Sequence, residues 1–271
     1  MMPEERARAT ERGHTTQDWL GAPSDMQRSG PAFLARTYLV DRALRRLRPS
    51  RLLDVGCGRG NVTAIAARHA PEIVATDVAS DAIAETRSRL EGRDGARAFV
   101  ADILAGDWGE VPGDQRGPFD CILLSEVLEH VEDDTEALNT CRALLAEQGS
   151  LLITVPADPN LWTALDDLVG HKRRYTKAAL ISKLEGAGFC VSSLVNWGFP
   201  ITGWLERRGA TMRARRLQQR APAGEFPPLL RRLMPATSVA FRVLARIEPL
   251  FSSLDRGAGY VVVAHRDPAS G

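Results

Sequence analysis

Glu126, Glu129 and His130 stand at spacing i, i+3, i+4, directly after the apolar run at 119–124. On a turn of helix that spacing puts all three side chains on one face. Two carboxylates and an imidazole converging there can hold a divalent cation, hard oxygens suiting Mg²⁺ or Mn²⁺. A second imidazole, His171, lies in the polar stretch 170–176 that follows the next apolar run. Glu126, Glu129, His130 and His171 are therefore the expected ligands of one cation. Without a metal, His130 or His171 is the expected general base, since an unperturbed imidazole titrates near ~6.5. Tyr175 and Asp166 are weaker candidates for that role. The bland alternative is that the two glutamates cap and pair locally while His130 simply packs.

A different chemistry is written at 52–61, LLDVGCGRGN. An apolar run leads into Asp54, then glycines at 56, 58 and 60, then a helical pattern at 62–69. Glycine lets such a turn take φ > 0 and lets a ligand approach the backbone with no Cβ in the way. A strand, a glycine turn and a helix form the first unit of a nucleotide-binding sheet. Asn61 stands where a dinucleotide fingerprint wants its last glycine, which argues against NAD and FAD. Asp77 follows 21 residues after Gly56, at the end of the next apolar run. An acid at that distance can accept hydrogen bonds from ribose hydroxyls; otherwise it is a solvated strand-end carboxylate. Asp102, after the third run, is either a ligand contact or a helix cap.

The elements that must position these residues alternate. Helical pattern occupies 31–47, with Pro31 suited to a first turn. Apolar runs at 51–55, 72–77, 98–101, 119–124, 149–155, 190–197 and 259–264 read as strands, with helices at 62–69, 81–90, 135–145 and 176–187. This rhythm implies an α/β fold, a doubly wound and mostly parallel seven-stranded sheet. The 271 residues suffice for one such domain and an extra segment. A net charge of +1 offers no bulk polyanion partner. No stretch is apolar for long enough to span a bilayer, and no signal-peptide core is present. Four scattered cysteines without a CxxC pair read as reduced thiols of a cytoplasmic protein, three of them in apolar patterns and expected to be buried.

Two segments stand apart. Residues 1–30 are polar and read as a mobile N-terminal arm, where His14 and Trp19 either line the site or lie on the surface. Residues 200–258 form an unusually long connection before the last strand. This segment holds eleven arginines against four acids, a net +7 that leaves −6 for the rest of the chain. Ala240, Val243, Leu244, Ile247 and Phe251 repeat at helical spacing with Arg242 and Arg246 on another face, and Pro227, Pro228 and Pro235 divide the segment. We expect a helical lid over the substrate cleft first, a homodimer contact next, and peripheral contact with an acidic membrane surface last.

The glycine turn, Asp77, Asp102 and the Glu-x-x-Glu-His stretch, in this order, resemble the class I S-adenosylmethionine (SAM)-dependent methyltransferases. The likeness covers about 31–199 and the last strand, and implies a seventh strand inserted antiparallel to the others. It further implies that Asp77 binds the ribose hydroxyls and Asp102 the adenine amino group. Gly56 and Gly58 would approach ribose and methionine, Asp54 the methionine ammonium, and Ser125 the methionine moiety by its backbone. Arg36, 20 residues before Gly56, resembles an arginine that contacts SAM in the ubiquinone-biosynthesis O-methyltransferases. The Glu-x-x-Glu-His stretch is similar to that group and, with His171, to the small-RNA 2′-O-methyltransferases, although Lys-Arg-Arg-Tyr after His171 departs from the latter. The function implied is methyl transfer from SAM to a small-molecule acceptor, at a hydroxyl oxygen. The alternatives are 2′-O-methylation of an RNA terminus, which the lack of an appended RNA-binding module disfavours, N- or C-methylation of a metabolite, and a SAM-binding regulatory module without turnover.

Overall fold

The structure is a computed structural model that describes residues 30–218 and 239–267. The N-terminal arm with His14 and Trp19, and the prolines at 227, 228 and 235, lie outside the described residues. Helix α1, Pro31–Leu47, starts on proline and stops at Arg48, which turns left-handed and donates its N–H to Leu44 O. Strand β1, Arg51–Val55, is buried from Leu52 on and apolar there but for Asp54, as suits a central parallel strand. Helix α2, Thr63–Ala66, is only four residues long, so half of the helix expected at 62–69 is turn. There follow β2 Glu72–Asp77, α3 Ser80–Leu90, β3 Ala96–Val100, β4 Phe119–Ser125, α4 Asp134–Leu144 and β5 Leu145–Pro156. Then come α5 Ala164–Leu168, α6 Lys177–Gly186, β6 Phe189–Trp197, α7 Thr202–Gln218 and β7 Gly259–Arg266.

The strands form one sheet in the order β3-β2-β1-β4-β5-β7-β6. The five strands from β3 to β5 run parallel, and β7 lies antiparallel between β5 and β6, as the resemblance implies. One apolar layer, around Phe119, Ile122, Leu138, Phe189 and Tyr260, fills the face under α4 and α6. The other, around Leu39, Leu44, Ile73, Ile83 and Leu123, fills the face under α1, α2 and α3. Strand order reverses between β1 and β4, so the crevice at their carboxyl ends is where such a sheet takes a ligand. All four cysteines are free; Cys121 and Cys141 are buried, but Cys190 is exposed, because β6 is an edge strand with one side turned to water.

Candidate functional site

The carboxyl edge has two parts. At the β1–β2 end, Gly56, Gly58 and Gly60 all have positive φ. Gly58 matters most. A Cβ added there would meet nothing within 4 Å, so its outer side is open for a ligand. Its N–H donates to Asp77 Oδ2 at 2.8 Å, and the N–H of Ala79 donates to Asp77 Oδ1 at 2.9 Å. Each oxygen keeps a further lone pair. Burial raises the Asp77 carboxyl above its usual range, against these two backbone bonds. Asp54 accepts from Thr63 Oγ1 at 2.7 Å, while its other oxygen is buried without a partner. Burial, opposed by the Thr63 bond and reinforced by the Asp77 charge, pushes the Asp54 carboxyl up to about 7. An unpartnered buried carboxylate oxygen at the end of β1, where the glycine turn begins, is a fitting place for a cationic ammonium. Asp102 accepts from Ala105 N at 3.2 Å and so caps the 3₁₀ turn Ile103–Ala105.

At the β4–β5 end the backbone differs from the expectation. Residues 126–130 are not helical, and Glu126 has φ +58°. The left-handed residue turns Glu126 away from the face it would share with Glu129 and His130. It pairs with Arg36 at 2.9 Å and accepts from Thr154 Oγ1 at 2.9 Å. Thr154 lies level with Ser125 across the β4–β5 ladder, and its hydroxyl is 3.3 Å from Ser125 Oγ. Arg36 and Ser125 are thus joined through Glu126 and Thr154, a link not expected from the sequence. Thr154 could have been found by setting β4 and β5 in register.

Among the described residues, Glu129, His130 and His171 bring one ligating atom each within 4.8 Å of one another; Glu126 is not in this group. Glu129 is fully buried and neither carboxylate oxygen has a hydrogen-bond partner. Burial first, and the charge of Glu126 second, raise its carboxyl well above the ordinary value. Its nearest cation-forming neighbour is His171 Nε2, 3.9 Å away. The His130 and His171 rings meet edge to face, centroids 4.8 Å apart. Burial and the neighbouring His171 push His130 down to about 4, so it is neutral at physiological pH.

Behind His171 stands Asp166. Its Oδ1 lies 2.8 Å from His171 Nδ1. Arg174 donates to it through Nε and Nη2, each at 2.9 Å, and Thr163 donates through N and Oγ1. Burial alone would raise Asp166, but the bonds from His171 and Arg174 prevail and hold it well below the carboxylate range. Such an acid cannot serve as a base near neutral pH. It orients instead, with Nδ1–H of His171 fixed and Nε2 left to face Glu129. Tyr175 is likewise removed from the list of bases. It is buried, donates to Asp134 Oδ2 at 2.9 Å, and its hydroxyl is pushed up by burial and that bond. Arg173 and Lys183 also hold Asp134, at 2.9 and 2.7 Å. This cluster clamps the 171–175 loop to the first residue of α4.

Comparison with known proteins matches residues 26–194 to a methyltransferase domain model. The ubiquinone biosynthesis O-methyltransferase of Caulobacter sp. (strain K31) is 37% identical over 106 residues, 38% of this chain and 39% of that protein. Its counterpart in Xanthomonas oryzae pv. oryzae (strain PXO99A) is 32% identical over 105 residues, 39% and 42% of the two chains. The aligned stretch thus spans about two fifths of these relatives' length. In fold, the chain is similar to the N-methyltransferase NodS from Bradyrhizobium japonicum WM9, solved with S-adenosyl-L-homocysteine. The TM-score is 0.54 at 18% identity, over 92% of this chain and 94% of that one.

Proposed function

The chain belongs to the methyltransferase-domain family, and on that premise we propose that it moves a methyl group from SAM to a hydroxyl oxygen of a small-molecule acceptor. The observation that carries this reading is one sheet edge holding an open glycine cradle beside a buried Glu129–His130–His171 cluster. Bound SAM supplies a methyl carbon on a sulfonium, whose positive charge is lost as the acceptor oxygen attacks in line. The protein's share is alignment, exclusion of water and removal of the hydroxyl proton. Asp77 holds Gly58 and keeps acceptor capacity for ribose hydroxyls, and Asp54 faces the ammonium. Asp102 has one oxygen engaged as a cap and its second for the adenine amino group. The Arg36–Glu126–Thr154 chain fixes the turn at Ser125 where the methionine part would rest.

Where no cation is bound, His171, oriented by Asp166, takes the acceptor proton at Nε2. The same three side chains suit a divalent cation, because Glu129 brings two unpartnered oxygens and the imidazoles bring nitrogen. Two nitrogens and one carboxylate favour Mn²⁺ over Mg²⁺. Such an ion would supply Lewis acidity toward the acceptor oxygen. Helix α7 packs on α1 and α5, and we read it as a wall of the acceptor cleft, the described part of the expected lid. Free cysteines, one of them exposed, suit a reducing cytoplasmic setting.

Calorimetry with SAM and S-adenosylhomocysteine tests the cofactor. A mass-spectrometric screen of metabolite extracts for methylated products, with Mn²⁺ and with chelator, tests the reaction. Absence of SAM binding would sink the reading, and full activity in chelator would assign the cluster to acid–base work alone.

A further inference from the structure

Most large apolar side chains left exposed among the described residues fall in the segment between β6 and β7. Residues 239–247 are helical and run into the 3₁₀ turn Glu248–Leu254. Along this stretch Val239, Val243, Ile247, Leu250 and Leu254 are 60, 46, 45, 79 and 53% exposed. Val239, Val243 and Ile247 recur every four residues along one side of the helix, Leu250 continues that side one 3₁₀ turn beyond Ile247, and Leu254 lies past it. The side turned inward carries Ala245 and Glu248 instead, both buried. Glu248 is occupied there, accepting from the N–H groups of Ile201 and Thr202 at the start of α7. The sequence periodicity thus finds the helix, and of its five apolar residues Ala240, Val243, Ile247 and Phe251 are exposed and Leu244 is half-buried.

Charge accompanies this stripe. Arg242 and Arg246 are exposed on its flank, one residue before Val243 and Ile247. Exposed Trp204 and Arg208 stack at 4.4 Å on α7, in the same segment. The segment's net +7 stands against −6 elsewhere. One of its acids, Glu248, is spent inside the fold.

We propose that this face docks on an anionic lipid bilayer. Branched aliphatics would enter the boundary between headgroups and acyl chains, with guanidinium groups beside the lipid phosphates. Both features are then satisfied by one partner, which an apolar protein groove alone would not do. No helix among the described residues is long and apolar enough to cross a membrane, so the contact is peripheral. Helix α7 links this face to α5, which carries Asp166 behind His171. Docking would therefore hold the acceptor side of the cleft close to the lipid surface. The docking itself is independent of the methyl-transfer reading, and the placing of the acceptor side rests on that reading.

Flotation of the full chain with vesicles of equal parts phosphatidylcholine and phosphatidylglycerol, against phosphatidylcholine alone, tests it. The chain is expected to float with the anionic vesicles in low salt and to be released by high salt. Ile247→Glu with Leu250→Glu should abolish flotation, and Arg242→Glu with Arg246→Glu should weaken partitioning by about thirtyfold or more, at ~1 kcal/mol for each arginine lost. SAM affinity should not change in either pair, which also shows that both are folded. If the glutamate pair lowers SAM affinity, Val243→Ser with Leu254→Ser carries the same test. A wild-type chain that stays with the soluble fraction, or variants that float like it, would overturn the proposal. So would a dimer, seen by sedimentation, that the same substitutions dissociate, since the face would then join two copies.

Discussion

The two ends of the ligand edge are built in different ways. Between β1 and β2, Asp77 is held by backbone, by the N–H groups of Gly58 and Ala79, and Asp54 by the Thr63 hydroxyl alone. Between β4 and β5 the acids are held by other side chains: Glu126 by Arg36 and Thr154, Asp166 by His171, Arg174 and Thr163. Glu129 is held by none. Backbone amides make a cradle that different side chains can surround, which suits a cofactor. A buried carboxylate without a partner is costly. It is understandable where a proton, a cation or a substrate group completes it. Under the proposed function, the comparison puts ribose and ammonium recognition at one end of the edge and the acid–base or cation chemistry at the other.

The sharpest way to break that division is His171→Ala. Turnover should fall by roughly 10²–10⁴-fold, the range for a positioned acid–base group, while calorimetry finds SAM affinity unchanged. Loss of SAM binding together with activity would show that the two ends are not separable. Asp77→Ala is the converse. It should weaken SAM by roughly 1.5–3 kcal/mol, the scale of a charge-assisted hydrogen bond, and leave Mn²⁺ affinity, followed by the electron spin resonance of the ion, as it was.

A smaller effect sits in the clamp behind the β4–β5 end. Burial would raise Asp134, but the bonds from Lys183, Arg173 and Tyr175 hold its carboxyl below the ordinary carboxylate value. A depressed carboxylate stabilises the fold above its unfolded value, and that contribution is lost as pH falls through the lower folded value. Asp134→Asn should therefore cost about 1–2 kcal/mol at neutral pH. In thermal melts the gap from wild type should close below about pH 4. The smallest effect belongs to Asp54. Its carboxyl is raised to about 7 in the free protein, and an ammonium beside it favours the charged form. SAM binding just below pH 7 should release a proton. Calorimetry in buffers of different ionisation enthalpy would detect it, and affinity should rise modestly toward pH 7 and then level off. No proton release would place the ammonium elsewhere.

The same contrast explains how much could be read from the chain. The glycine turn and Asp77 were legible because their contacts are made by the backbone of nearby residues, which glycine and strand length report directly. The seven strands were legible from their apolar runs. The Arg36–Glu126–Thr154 link was not, since it needs the register of β4 against β5 and a left-handed residue that no local pattern announces. The helical reading of 126–130 failed at that same residue. Asp166 was noticed as a base, yet only the fold brings Arg174 and His171 to it and turns it into an orienting group. Cys190 sits in an apolar run, but periodicity does not say that β6 is an edge.

Strand β7 lies between β5 and β6, and β6 has no other neighbour in the sheet. On the ribosome, β5 and β6 emerge long before the strand that joins them. The parallel half with the glycine cradle and Asp77 can assemble at that stage, whereas β6 must wait with both edges unpaired. A nascent chain halted before Gly259 would then carry the cofactor half of the edge and two open strand edges, the kind of surface that chaperones hold and aggregates recruit. The sheet therefore closes only after the whole connection at 198–258 has been made, set by the position of one strand.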